Sequence, residues 1–80
     1  MAEVIELDIR GQICPSCLLM TLKEVNERSG RLRRGELELR VLTSDRQSTG
    51  TIPQAMANMG YGVRVEKRGG DYEVIIGAPP

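Results

Sequence analysis

The sequence predicts an α+β domain: a two-layer α/β sandwich of order βαβαββ, with two helices packed on one face of a mixed four-stranded sheet. Three observations carry this expectation. Apolar residues alternate with period two in four separate stretches, and two intervening stretches repeat them at spacings of three and four. Each strand–helix–strand crossover should also be right-handed, which sends both helices to the same side of the sheet. With 80 residues the chain has length for one hydrophobic core, so residues 1–80 are read as a single domain.

The first stretch, residues 4–10, sets Ile5, Leu7 and Ile9 against Glu6, Asp8 and Arg10, the pattern of a half-buried strand that Gly11 ends. From residue 15 to about residue 28 the pattern becomes helical, with Leu18, Leu22 and Val25 in a stripe and Leu19 beside it. Pro15 suits a first helical turn, where its fixed φ fits and an N–H would have no partner anyway. Gly30 reads as the stop. The second strand, residues 36–42, points Leu37, Leu39 and Val41 inward and Glu36, Glu38 and Arg40 outward. After a polar stretch, Ile52, Ala55, Met56 and Met59 recur at helical spacing, with Pro53 near the start and Gly60 as the stop. Both methionines read as core. Tyr61, Val63 and Val65 mark a third strand, Arg68-Gly69-Gly70-Asp71 a hairpin turn, and Tyr72, Val74 and Ile76 the fourth strand.

Eleven basic and eleven acidic residues balance to a formal net charge of zero, so direct general nucleic-acid binding, which needs a basic excess, is not expected. Arg28, Arg31, Arg33 and Arg34 do cluster around the first long connection. Such a cluster is either a solvated turn or a docking point for an acidic partner or tRNA. No apolar run reaches the roughly 18 residues of a membrane span, so membrane insertion is not expected. The N-terminus lacks the basic start and continuous apolar stretch of a signal peptide. The chain is therefore expected to be cytoplasmic, where thiols stay reduced, and to act as a monomer.

The chemistry is expected at Cys14-Pro15-Ser16-Cys17, where the first strand's loop turns into the first helix. A thiol is a weak nucleophile until it ionises, and its reference pKa is about 8.5. Unpaired N–H groups and the helix dipole at a helix N-terminus favour the thiolate. Cys14 precedes the proline assigned to the first helical position, which puts it at the cap. Arg10 is a candidate for added positive charge and Ser16 for a hydrogen bond to the sulfur. The chain has no histidine, so neither a Cys-His dyad nor histidine metal ligation is available. Two cysteines supply half of a tetrahedral zinc site, and no metal is expected. Cys17 has two readings: a second reactive thiol, or a small apolar residue close to the helix's core stripe. Cys-x-x-Cys at a helix start also describes a dithiol redox pair, although this element order is not that of a thioredoxin-like fold.

The stretch Leu7-Asp8-Ile9-Arg10-Gly11-Gln12-Ile13-Cys14-Pro15 resembles the start of the TusA/SirA/YedF family of sulfur-carrier proteins. The likeness continues through Thr43-Ser44-Asp45, Ile52-Pro53 and Gly60, and covers residue 7 to about residue 76. It implies a sulfur carrier with sulfurtransferase-type chemistry and no cofactor beyond a covalent persulfide on Cys14. A cysteine desulfurase or another sulfur donor would load that persulfide. A downstream sulfur-acceptor protein would receive it, for tRNA thiolation, molybdenum-cofactor enzymes or inorganic sulfur metabolism. Cys17 departs from the family pattern, standing where a second proline is usual. A resolving thiol there would release sulfide and leave a Cys14–Cys17 disulfide, whereas a buried one would leave a single-thiol carrier. A dithiol redox protein and a non-catalytic adaptor stay as alternative functions. Asp45 matches an acidic family position and is read as structural, capping the approach to the second helix.

Overall fold

The structure, a computed structural model, describes residues 3–13 and 16–79. Its elements are β1 (Glu3–Asp8), α1 (Ser16–Glu27), α2 (Ser29–Arg33), β2 (Leu37–Thr43), α3 (Ser48–Asn58), β3 (Gly62–Arg68) and β4 (Asp71–Gly77). The sheet order is β1-β2-β4-β3. β1 and β2 are parallel, with Asp8 opposite Leu42, and β4 is antiparallel to both β2 and β3. The hairpin thus returns β4 into the middle of the sheet and leaves β1 and β3 as the edges.

Along β2 the inward residues Leu37, Leu39, Val41 and Thr43 are all buried, and the residues between them are only half-buried. Val74 and Ile76 of β4 extend this face. Cys17 and Val25 of α1, Leu32 of α2, and Ile52 and Met56 of α3 close over it in one hydrophobic cluster. All three helices therefore lie on one side, as the α+β sandwich requires. Met56 is core, and Met59 packs against the cluster's edge.

The details of the helices differ from the sequence expectation in three places. First, α1 is rotated: its buried line is Cys17, Thr21 and Val25, while Leu18 and Leu22 pack at the flank. Leu19 lies about 200° around the helix from Cys17, from two steps of about 100° each, and is 62% exposed. Second, the arginine-rich connection is itself a short helix, α2, because Leu32 turns into the core with no exposed area. Gly30 lies inside α2, and Gly35 provides the stop. At φ +76 it takes the left-handed conformation that side chains disfavour. It lets the Gly35 and Glu36 amides reach back to the carbonyls of Leu32 and Arg31, a Schellman ending. Third, Pro53 sits inside α3 rather than in its opening turn. That turn begins five residues earlier, with amides of Ser48, Thr49 and Gly50 bonded to carbonyls three residues back.

The opposite face of the sheet carries Glu38, Arg40, Glu73 and Ile75. Glu73 is 3% exposed although no helix covers it. As part of an interior strand it is roofed by Arg40 (3.2 Å) and Arg68 (3.1 Å), which both ion-pair with its carboxylate. Glu73 and Ile75 alternate along β4 with the inward-facing Val74 and Ile76. The central position of β4 buries them.

Candidate functional site

Because β1 and β2 are parallel, their C-terminal ends lie side by side and the loops that follow them meet. The Gly11 amide, in the β1–α1 loop, donates to Ser44 Oγ in the β2–α3 loop at 3.1 Å. Gly11 holds φ +90, a conformation open to glycine at low cost, and this turns the chain from the strand toward the neighbouring loop. Both α1 and α3 begin at this end of the sheet. In open α/β sheets, ligand chemistry collects outside the carboxyl ends of the strands.

Cys14 and Pro15, expected at the helix cap, lie outside the described residues. What flanks them is well defined. Ile13, immediately before, is 70% exposed, and its carbonyl accepts the Cys17 amide at 3.3 Å. Ser16 opens α1 and is exposed. The first turn of α1 contains no acidic side chain that would oppose an anion there.

Cys17 is fully buried. Its Sγ lies 3.1 Å from the Gln12 carbonyl, to which it donates, and 3.8 Å from Thr43 Oγ1. Thr43 is equally buried, and its hydroxyl oxygen accepts the Asp45 amide at 3.1 Å. The structure therefore brings Gln12, Cys17, Thr43 and Asp45 together where the loops after β1 and β2 meet. Neither Gln12 nor Thr43 was singled out by residue chemistry. The available signal was the polar run Thr43-Ser44-Asp45 directly after a strand.

Arg10, expected to support the sulfur, makes its described contacts with carboxylates. Its Nε and terminal nitrogen donate to the two Asp8 carboxylate oxygens at 3.0 and 2.8 Å, and its other nitrogen reaches Asp71 at 3.4 Å. The Arg10 side chain and amide hold the Asp8 carboxyl below the usual carboxylate range, and Asp8 holds the guanidinium above its own. Its charge is matched by carboxylates, and its role is to tie the loop to the start of β4. Asp45 caps α3, as expected: its carboxylate accepts the Gln47 amide at 3.2 Å and the Ser48 hydroxyl at 2.8 Å.

The arginine cluster is also internally matched. Arg28 pairs with Glu24 and Glu27, Arg31 with Glu3, and Arg34 with Glu36. Arg33 stacks over the Tyr61 ring, 4.9 Å from its centroid. Three of the four charges are thus neutralised by their own chain, which fits the solvated-turn reading better than an anion-docking one. Among the described residues, no group of three or more acidic or cysteine side chains is placed to hold a metal ion. Nor is any helix long and apolar enough to cross a membrane.

The fold and this loop pair define a small α+β protein in which the loops after two parallel strands meet at the sheet's carboxyl edge, beside the starts of α1 and α3. Residues 5–77 match the family model described as sulfurtransferase TusA, and the chain belongs to that family of sulfur-relaying proteins. In structure it is similar to the crystal structure of a SirA-like protein from Desulfitobacterium hafniense, with a TM-score of 0.75 and 27% identity over 96% of this chain and 99% of that one. No curated protein matches the chain in sequence.

Proposed function

We propose that the protein relays persulfide sulfur on Cys14 alone, between a donor such as a cysteine desulfurase and an acceptor protein in the cytoplasm. The observation that carries this reading is the burial of Cys17. Of the chain's two cysteines, Cys17 has no exposed area and donates its proton to the Gln12 carbonyl. Interprotein chemistry then falls to Cys14. Ile13 and Leu19, on either side of Cys14 in sequence, keep apolar side chains in solvent, which suits contact with a protein partner.

The transfer is redox-neutral. The Cys14 thiolate attacks the outer sulfur of the donor's persulfide. The donor's S–S bond breaks, its thiolate leaves with the bonding pair, and a new S–S bond forms on Cys14. A second attack, by the acceptor's nucleophile on the outer sulfur, regenerates the Cys14 thiolate. No second cysteine is needed. A dithiol mechanism would have to give up the Cys17 thiol's hydrogen bond to the Gln12 carbonyl.

The test is loading with a cysteine desulfurase and cysteine, read by mass spectrometry of the intact protein and its peptides. One added sulfur atom is expected on Cys14. Cys14→Ser should abolish the adduct and Cys17→Ser should keep it. If Cys17→Ser instead abolishes turnover, or a Cys14–Cys17 disulfide accumulates during it, the single-thiol reading is wrong.

A further inference from the structure

We infer that Cys17 and Thr43 form a buried hydrogen-bond chain that positions the Cys14 loop, making them positioning residues for the relay rather than reacting groups. The inference rests on the assignment of Cys14 as the reactive thiol. Donor counting fixes the direction of the chain. Cys17 has one S–H, and it points to the Gln12 carbonyl at 3.1 Å. The 3.8 Å contact with Thr43 must then be donated by the threonine hydroxyl to the sulfur. That hydroxyl oxygen in turn accepts the Asp45 amide at 3.1 Å. Three bonds therefore run one way, from Asp45 through Thr43 and Cys17 to Gln12, and bonds aligned in this manner polarise one another.

The chain joins the two loops that matter. At one end, Asp45 caps α3. At the other, the Cys17–Gln12 bond closes a ring of main chain that contains residues 13–16, and with them Cys14. The Cys17 amide closes a smaller ring onto Ile13, and the Thr21 hydroxyl holds the Cys17 carbonyl at 2.8 Å. The central link of the chain, between the Cys17 sulfur and the Thr43 hydroxyl, is buried, so water cannot replace it without a cavity to hold it. Alanine at position 17 would leave the Gln12 carbonyl unsupported. A thiol fills the space and also holds the loop.

The consequence reaches Cys14 through order in its segment. On this inference, losing a bond of the chain loosens the segment and weakens the influence of the helix N-terminus on its thiol. Thr43→Val, which removes the hydroxyl and keeps the shape, should shift the pH profile of Cys14 alkylation upward. Its thiolate fraction at neutral pH should fall about two- to fivefold, the size of a helix-terminus interaction. Thr43→Ser should restore the profile. Cys17→Ala should behave like Thr43→Val, and Cys17→Ser like the wild type.

Alkylation is read by peptide mass spectrometry, with circular dichroism confirming the fold of each variant. The same experiment on the wild type should leave Cys17 unmodified until global unfolding. Unchanged Cys14 profiles in folded Thr43→Val and Cys17→Ala would overturn the inference. So would native alkylation of Cys17 at a rate near that of Cys14, and this second criterion needs no variant. Persulfide loading of the wild type is run in parallel. Failure of loading with shifted profiles would sink the carrier reading and leave the positioning roles standing; normal loading with unchanged profiles would do the reverse.

Discussion

At the residue scale, Asp8 and Arg10 have a measurable pH signature. The Arg10 hydrogen bonds lower the Asp8 pKa in the folded protein, so the folded state favours the carboxylate. The stabilisation is complete above the unfolded carboxylate pKa of about 3.9 and is lost as pH falls through the lower folded value. Asp8→Asn should therefore lower the melting temperature slightly near neutral pH, and the gap to wild type should close as pH drops below about 4. The effect should be small because both groups are solvent-exposed. A gap that widened on acidification would show that Asp8 does not act through its charge. Cys17 differs in kind. It has no exposed area, and its contribution is a hydrogen bond and a filled volume.

At the scale of elements, the site depends on how two helices start. α3 opens with three-residue hydrogen bonds, and the Asp45 carboxylate holds the Gln47 amide and the Ser48 hydroxyl. Asp45→Ala should cost about 1 kcal/mol, the usual loss of a helix-start cap, as measured by urea denaturation. Asp45→Asn should recover most of it. The loop before α1 depends on Gly11, whose φ of +90 side chains disfavour. Gly11→Ala should cost about 1–2 kcal/mol, and loss of the 3.1 Å bond to Ser44 should appear as faster exchange of the residue-11 amide. A Gly11→Ala protein as stable as wild type, with a protected amide, would mean the left-handed turn is not required.

At the scale of the whole molecule, the described chain has a radius of gyration of 11.4 Å and spans 31 × 22 × 19 Å. Such a body has one core and works from its surface. Domains of this size are stable by only about 4–12 kcal/mol. Ile52, fully buried where α3 meets the cluster, therefore accounts for a large share of the margin. Ile52→Ala should cost about 2–5 kcal/mol and leave a visible unfolded fraction at moderate temperature in a thermal melt. Glu73 shows a second whole-molecule effect. A carboxylate on the helix-free face becomes buried because β4 lies between β2 and β3, where Arg40 and Arg68 reach it from the two neighbouring strands.

The sequence by itself determined the order of the four strands and the two longer helices, the inward residues of β2 and the glycine that ends α3, but not the short helix α2. These are local matters of side-chain period, backbone conformation and capping, and a short window of chain contains them. Leu19, read beside the core stripe, is exposed, and Glu73, on which the sequence reading was silent, is buried, because each depends on a partner distant in the chain. The rotation of α1 is set by what the sheet offers it, and the burial of Glu73 by which strands flank β4. The role of Cys17 belongs with these. Its spacing from Cys14 is consistent with a resolving thiol and with a core residue alike. Packing shows the surroundings that spacing could not: a fully buried sulfur with Thr43, 26 residues away, on one side and the Gln12 carbonyl on the other.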